Sequence, residues 1–153
     1  VLYDQLLSPS DLNGKRCYNF HPGLLPWYRG AGAYSWCIIN GEMETGITLH
    51  EIDQDIDHGP VIDMQRFPIR PDDTAGSLFS RAEQLIIKMF EEWLPRIVEG
   101  NYHTIDQVEG RIYYRKHLER MKNITRIVRA FTFEGKEDAY YFNRHGEKVY
   151  VKF

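Results

Sequence analysis

The sequence predicts an α/β fold, in which short strands and amphipathic helices alternate along one chain. Its 153 residues are the length of one ordinary domain. Hydrophobic residues make up 42% and aromatic residues 14%, which is enough to fill a core and excludes a disordered or collagen-like chain. Short runs rich in β-branched residues are followed by a long stretch whose apolar residues recur at helical spacing. Together these observations indicate the α/β class.

The first half of the chain predicts a strand, a loop and a helix in that order. The strand covers residues 16–20 and follows a turn at residues 13–14. Residues 22–32 hold two prolines and three glycines, which predicts a loop. The apolar run 36–39 predicts the core face of a helix that ends near residues 40–41.

Two more strands and the clearest helix follow. The strands are predicted at residues 47–52 and within residues 60–69, because both segments are rich in β-branched residues. Asp73 or Thr74 can cap the start of the helix, and Gly100 stops it. Its apolar residues recur at spacings of three and four: Leu78, Ala82, Leu85, Ile86, Met89, Phe90, Trp93, Leu94 and Ile97.

The C-terminal region predicts a helix at about residues 118–131 and a β-hairpin at 139–151, with its turn at 143–146. Charge divides the chain just before this region. Residues 1–110 carry 8 Lys/Arg against 17 Asp/Glu, a net charge of −9, and residues 111–153 carry 11 against 5, a net charge of +6. We therefore expect two units. The basic tail fits either an anionic partner or a solvated helix face.

Cysteine usage and hydropathy indicate the compartment. Cys17 and Cys37 each lie in an apolar stretch, which favours buried thiols in a reducing compartment over a disulfide. No run approaches the roughly 18 apolar residues of a membrane helix. No basic-then-apolar signal peptide opens the chain. The sequence predicts a cytoplasmic protein without a membrane partner.

Metal-binding interpretations fit the sequence poorly. The acidic segment 53–59 suggests a calcium loop, but the EF-hand pattern requires Gly at its sixth position and Glu at its twelfth. Counted from Asp53, those positions hold His58 and Met64. No histidine pair lies at helical i, i+4 spacing beside a glutamate, which disfavours zinc. We expect no metal site.

The end of the first predicted strand carries a polar pair, Asn19 and His21. Strand alternation turns both side chains to the same side. In an open α/β sheet, ligands bind at the carboxyl ends of strands, where polar groups can stabilise an oxyanion and move protons. From these residues alone, a capped strand end without catalytic function explains the pattern better.

Four motifs change that balance. They are Asn-x-His-Pro-x-Leu-Leu-Pro at residues 19–26, Tyr-Arg-Gly at 28–30, Glu-x-x-Thr-Gly at 42–46 and Asp-x-Gly at 57–59. In their order and spacing they resemble the core of the formyltetrahydrofolate-dependent formyltransferases. The similarity extends from about residue 3 to residue 100.

The resemblance implies a Rossmann-like formyltransferase domain at residues 1–110, followed by a helix and β-hairpin at residues 111–153. It implies 10-formyltetrahydrofolate as the formyl donor and Asn19, His21 and Asp57 as the transfer site. Asn19 and a protonated His21 would donate to the oxyanion of the tetrahedral intermediate. Asp57 would favour the imidazolium and take the proton of the attacking amine.

The resemblance also suggests binding residues. The loop that would hold the pterin ring comprises Asp53, Gln54, Asp55 and Ile56, and the other side of that pocket comprises Gln5, Leu6 and Leu7. The candidate substrate contacts are Arg29, whose guanidinium can engage phosphate oxygens, and more weakly Lys116 and Arg129.

Within the family, residues 36–41 fit the sugar and tRNA branches better than the purine branch, and residues 58–62 together with the short tail resemble the nucleotide-sugar N-formyltransferases. The expected substrate is the amine of a nucleotide-linked amino sugar, such as a dTDP-linked sugar of bacterial surface glycans. Methionyl-tRNA formyltransferase is an alternative, but its usual longer C-terminal barrel would not fit the tail, so no nucleic-acid partner is expected. A non-catalytic fragment that binds ligand or dimerises is another alternative. The hairpin predicts a homodimer.

One feature departs from the family pattern. The resemblance implies a βαβαβ half before the Asn-x-His strand, whereas only 18 residues precede Asn19. We therefore expect the chain to be the C-terminal part of a longer formyltransferase domain.

Overall fold

The computed structural model describes residues 12–114, 140–142 and 148–150. Strands and helices alternate through the first of these ranges, so the predicted α/β class is confirmed. The elements in chain order are β1 (Tyr18–His21), β2 (Arg29–Gly30), α1 (Ala33–Asn40), β3 (Glu44–Glu51), β4 (Val61–Pro68), α2 (Ala75–Glu99), β5 (Ile112–Tyr113), β6 (Tyr140–Phe142) and β7 (Lys148–Tyr150).

The main sheet consists of three antiparallel strands in the order β1–β3–β4. Its central strand β3 is paired on both edges and buried on both faces, with Ile47 and Leu49 at 0% exposure. The pairing of β1 with β3 places Asn19 opposite His50. The register of β3 against β4 shifts between Leu49 and His50, an irregularity that re-aims side chains at the end of the strand.

Helix α1 lies between two glycines in the left-handed region, Gly32 with φ 73° and Gly41 with φ 75°. A residue with a Cβ adopts this conformation only at a cost, which explains glycine at both ends. The run 36–38 is buried, as the predicted core face requires. Both cysteines are free thiols; Cys37 is buried, as predicted, and Cys17 is only partly buried.

Helix α2 has a capped start and a glycine stop. The Thr74 side chain accepts from the Ser77 amide, and the Ser77 hydroxyl accepts from the Thr74 amide, a reciprocal capping box. The helix ends at Gly100, whose amide donates to carbonyls of the last turn. Of the two predicted caps, Thr74 is therefore the N-cap, while Asp73 accepts from the Ser77 hydroxyl and from Arg81.

The two sides of α2 differ in burial. Among the buried residues are Leu78, Ala82, Ile86 and Met89, whereas Ile87, Phe90, Leu94 and Val98 are exposed. Over the described part of the chain, none of the helices combines the length and apolar character needed to cross a bilayer.

After α2, residues 105–113 return to the loop that precedes α1, and we call this segment the strap. Its backbone pairs with Val61 at Ile105, and its Arg111 amide donates to the Pro26 carbonyl. Its last residues form β5, which pairs in parallel with β2. The packing of the first unit therefore extends to residue 113, beyond the predicted domain boundary after residue 110.

The predicted hairpin is present in its described strands. β6 and β7 pair antiparallel, with Tyr141 opposite Val149 at the centre of three pairs. The predicted turn at 143–146 and the predicted helix at 118–131 lie outside the described residues.

A side chain at Gly46, in the central strand β3, should lower the stability of the fold. A methyl group there would overlap the Gln65 carbonyl of β4 and come within 2.6 Å of Leu24 Cδ2. We expect Gly46→Ala to lower the free energy of unfolding by about 3 kcal/mol or more, because one neighbour is backbone of the β3–β4 ladder and the other is the buried Leu24 side chain. Gly100→Ala, with nothing within 4 Å of its Cβ, should cost about 1–2 kcal/mol from its positive φ alone. Urea unfolding of both variants checks this, and equal losses would contradict it.

Candidate active site

The site is built from two neighbouring strands and one loop. Asn19 and His21 alternate onto one side of β1, and His50 lies opposite Asn19 on β3. The chain leaves β3 and forms the loop that contains Asp57 before β4 begins. The loop returns the Asp57 carboxylate to His21 and His50, so the three predicted catalytic residues lie together with one further histidine.

Asp57 is the centre of this cluster. Its Oδ2 lies 3.3 Å from His21 Nδ1, and its Oδ1 lies 3.7 Å from His50 Nε2. The Gly30 amide donates to Oδ2 over 2.9 Å. The Asp57 backbone has a φ of 48°, the left-handed region that non-glycine residues adopt at a cost. His21, His50 and the Gly30 amide therefore surround the carboxylate, while the Asp57 backbone adopts an unfavourable conformation.

The electrostatics keep Asp57 charged. Burial is the largest influence and raises the pKa of this carboxyl, but the hydrogen bond and charge of His21, the Gly30 amide and His50 oppose it. Their sum leaves the Asp57 pKa below its ordinary value of 3.8. At neutral pH the site therefore contains a carboxylate, which can accept a proton.

His50 is neutral and orients the Asn19 amide. Its side chain is buried, and burial is the main reason that its pKa lies below the ordinary 6.5. His50 Nδ1 donates to the Glu51 carbonyl over 2.7 Å, which leaves Nε2 as an acceptor. Asn19 Nδ2 lies 3.4 Å from this Nε2 and donates to it. His50 therefore fixes the orientation of the Asn19 amide through one N–H group, and the same nitrogen carries a second N–H group.

His21 is buried, with a partner at each ring nitrogen. Nε2 donates to the Tyr28 carbonyl over 2.6 Å, and Nδ1 faces Asp57. Both ring nitrogens of His21 therefore have partners, and Nδ1 faces the Asp57 carboxylate. The Asn19 amide has an N–H group that can donate to an incoming oxygen.

The predicted folate loop lies next to the cluster. Asp53 Oδ1 accepts from the Asp55 amide over 3.0 Å, and Asp53 Oδ2 lies 2.7 Å from His58 Nδ1. These contacts shape the loop internally. Gln54 and Asp55 are exposed, and Ile56 is half-buried. The other predicted binding residues, Gln5, Leu6, Leu7, Lys116 and Arg129, lie outside the described residues.

Arg29 is buried, at 6% exposure, and its guanidinium has partners within the protein. Nε and Nη2 donate to Gln107 Oε1 over 3.1 and 2.9 Å, and Nη2 also donates to the Val108 carbonyl. Gln107 Nε2 in turn donates to the carbonyls of Asp57 and Gly59 over 3.0 and 2.7 Å. The predicted substrate contact Arg29 is thus joined to the loop that contains Asp57 through one side chain, Gln107.

Sequence reasoning missed His50 and Gln107. His50 lies in a predicted strand, and the pairing of that strand with the Asn19 strand is the signal that could have found it. Gln107 carried no motif or periodicity, because its role depends on the fold of the strap. In the described ranges, no group of three or more His, Cys, Asp or Glu residues is arranged to hold a metal ion.

Fold and site together define an α/β protein with an amide–imidazole–carboxylate cluster suited to acyl-group transfer. A protein-family model described as formyl transferase matches residues 1–94 of this chain. The match covers more than half of the sequence, so the chain belongs to the formyl transferase family.

Particular relatives narrow the comparison. The chain is 29% identical over 153 residues to dTDP-4-amino-4,6-dideoxyglucose formyltransferase of Mycobacterium bovis, covering 92% of this chain and 65% of that protein. It is 41% identical over 122 residues to methionyl-tRNA formyltransferase of Geobacter sulfurreducens, covering 78% of this chain and 38% of that protein. The crystal structure of WlaRD, a sugar 3N-formyl transferase in the presence of dTDP and 5-N-formyl-THF, is 30% identical with a TM-score of 0.78, covering 86% of this chain and 52% of that one. The chain therefore spans less than two thirds of each.

The buried neutral His50 predicts a loss of stability in mild acid. Because its folded pKa is lowered, the unfolded chain binds a proton more readily than the folded chain as pH falls through about 6.5, so stability falls as pH falls. We expect His50→Gln to lose less stability than the unmodified chain between pH 7.5 and 5.5 in urea unfolding. His103→Gln, at an exposed histidine, is the control. Parallel pH curves for the unmodified and His50→Gln chains would contradict this.

Proposed function

We propose that this chain carries the catalytic centre of an N-formyltransferase that moves a formyl group from 10-formyltetrahydrofolate to the amine of a nucleotide-linked amino sugar. The observation that carries the proposal is the meeting of Asn19, His21 and Asp57 from two elements of a formyl transferase family member. Sugar formyltransferases among its relatives support the substrate class.

The donor set fits this chemistry. The folate supplies the formyl group when bound. As the amine attacks the formyl carbon, negative charge develops on the formyl oxygen, and the second N–H of Asn19 donates to it; the contact of Asn19 with His50, which orients the amide, supports this role. Asp57 accepts the proton that the amine loses, directly or through water, and this proton would pass to the folate nitrogen as the bond from that nitrogen to the formyl carbon breaks. His21 stabilises the charged carboxylate, and it would donate to the oxyanion once its Nε2–H leaves the Tyr28 carbonyl.

For the binding residues, the proposal follows the family resemblance. Gln54 and Asp55 are exposed beside Asp57, so this loop is open to the pterin ring. Gln5, Leu6 and Leu7 complete that pocket, and Lys116 and Arg129 contact the nucleotide. The Arg29 guanidinium donates to Gln107, so Arg29 acts in this proposal through Gln107. A cytoplasmic location and a role in surface polysaccharide synthesis accompany this function.

Methionyl-tRNA formyltransferase is the second candidate, and the higher identity over a shorter stretch favours it. The sugar assignment rests on the longer alignment, which extends past residue 110. The assay that decides offers the protein 10-formyltetrahydrofolate with dTDP- and UDP-linked amino sugars and with methionyl-tRNA in parallel. Formylation of an amino sugar supports the proposal, and formylation of methionyl-tRNA alone would replace it. Folded protein that binds folate and formylates neither would be the non-catalytic alternative.

Asp57→Asn keeps the shape of the side chain and removes its charge. We expect kcat to fall by about 100- to 10,000-fold, since the general base is lost. Binding of a non-reactive folate analogue should fall only modestly, because the loop backbone supplies most of the pterin contacts. Steady-state kinetics and a folate-binding titration measure the two effects.

Asp72→Asn, at an exposed aspartate outside the site, is the matched control. If Asp57 only shapes the turn before Gly59, asparagine serves nearly as well. Near-normal turnover of Asp57→Asn would therefore remove Asp57 from the catalytic role.

The proposed enzyme is a homodimer joined through the hairpin. Among the described strands, β6 and β7 pair only with each other, and open strand edges are ready to pair with a second copy. Light scattering of the full chain at micromolar concentration should give twice the monomer mass. Val149→Pro, which removes a pairing amide, should shift the mass toward the monomer, and Val149→Thr should not. A monomer for the unmodified chain would exclude this contact.

A further inference from the structure

The backbone of Asp57 is held in place by a segment far from it in sequence. A non-glycine residue at φ 48° is uncommon and carries a conformational cost. Such a conformation persists only where the surroundings fix it. The contacts that fix this loop therefore also set where its carboxylate points.

Gln107 makes the contacts that fix the loop. Its Nε2 donates to both the Asp57 and the Gly59 carbonyls, so one NH₂ group spans the turn that follows Asp57. Gly59 itself lies so close to the Glu51 carbonyl that a methyl group there would overlap it. The end of the turn is thus pressed against β3, while Gln107 holds the other side.

Arg29 determines which way the Gln107 amide points. Two of its guanidinium N–H groups donate to Gln107 Oε1, so the oxygen faces the cation and Nε2 faces the loop. The reverse orientation would place an NH₂ group against the guanidinium and an oxygen against two carbonyls. Arg29 is buried, so that error would not be screened by water.

The same short strand holds both parts of Asp57. Arg29 reaches the Asp57 backbone through Gln107, and the adjacent Gly30 donates its amide to the Asp57 carboxylate. The strap fixes Gln107 on both sides, through the bridge of Ile105 to β4 and through the pairing of β5 with β2. Strand β2 therefore positions both the backbone and the carboxylate of Asp57.

We propose that Gln107, oriented by Arg29, is a positioning residue that keeps the Asp57 carboxylate between Gly30 and His21. The inference rests on the proposed function for the reaction that it serves, but its geometry can be tested without that reaction. Gln107 does not touch the reacting atoms and acts through Asp57. It lies beyond residues 1–94, the part that the family model matches.

The test uses Gln107→Met, which keeps the length of the side chain and removes the amide, and Gln107→Asn, which keeps the amide and shortens its reach. Gln65→Met is the matched control, because Gln65 is an exposed glutamine on β4 with no contact to the loop. Exchange of the Gly30 amide is the first readout, since its acceptor is the Asp57 carboxylate. The second is the Asp57 carboxyl pKa, from carbon-13 NMR, and the third is kcat against KM.

In both Gln107 variants we expect the Gly30 amide to exchange at least about tenfold faster, while amides of the β3–β4 ladder keep their rates. The Asp57 pKa should rise toward its ordinary value. In the formylation assay, kcat should fall by about 100-fold with little change in KM, since small misplacement of a catalytic group has that effect. Gln65→Met should change none of these.

Unchanged Gly30 exchange and Asp57 pKa in a folded Gln107→Met chain would overturn the proposal. If both Gln107 variants fail to fold while Gln65→Met folds, Gln107 supports the fold as a whole, and the proposal is equally overturned. If the unmodified chain transfers no formyl group, the proposed function fails, and the two NMR readouts still decide the role of Gln107.

Discussion

The hydrogen bond from the Gly30 amide to the Asp57 carboxylate is the contact on which the geometry of the site depends. It joins the loop before α1 to the loop after β3, two segments that have no ladder between them. Position 30 requires glycine, because its φ is 89° and a side chain there would overlap the Tyr113 carbonyl of β5. The close approach of β2 and β5 that excludes a side chain is therefore the same feature that places the amide at the carboxylate.

The two histidines that face Asp57 are equally buried, at 2% exposure, and differ in their hydrogen-bond partners. His50 donates to a main-chain carbonyl and stays neutral, since burial lowers its pKa. It can therefore accept from Asn19 and fix the amide. His21 lowers the Asp57 pKa through its hydrogen bond and its charge. A second cation beside this buried carboxylate would make it attract a proton less, so a neutral His50 suits the role of base that Asp57 has in the proposed reaction.

Local signals in the sequence predicted local structure well. The end of α1 and both ends of α2 follow from glycine and from the Thr74 cap, and β3 and β4 follow from β-branched runs. The motif residues Asn19, His21 and Asp57 do come together. The strap was not predicted, because a two-residue strand and a single bridge have no periodicity. For the same reason the link from Arg29 through Gln107 to the loop could not be read from the sequence: each bond joins residues that are about 50 or more positions apart.

The chemistry of an amide explains why a glutamine can occupy this position. One end of the link is the guanidinium of Arg29, which only donates, and the other end is a pair of carbonyls, which only accept. A carboxylate at position 107 would satisfy Arg29 and repel the carbonyls, and an ammonium would satisfy the carbonyls and repel Arg29. The amide alone offers an acceptor and a donor in one plane, at opposite sides of one carbon. Two buried groups that would each be costly to leave unpaired are thereby satisfied together, and no net charge is added beside the Asp57 carboxylate, whose charge the proposed reaction needs.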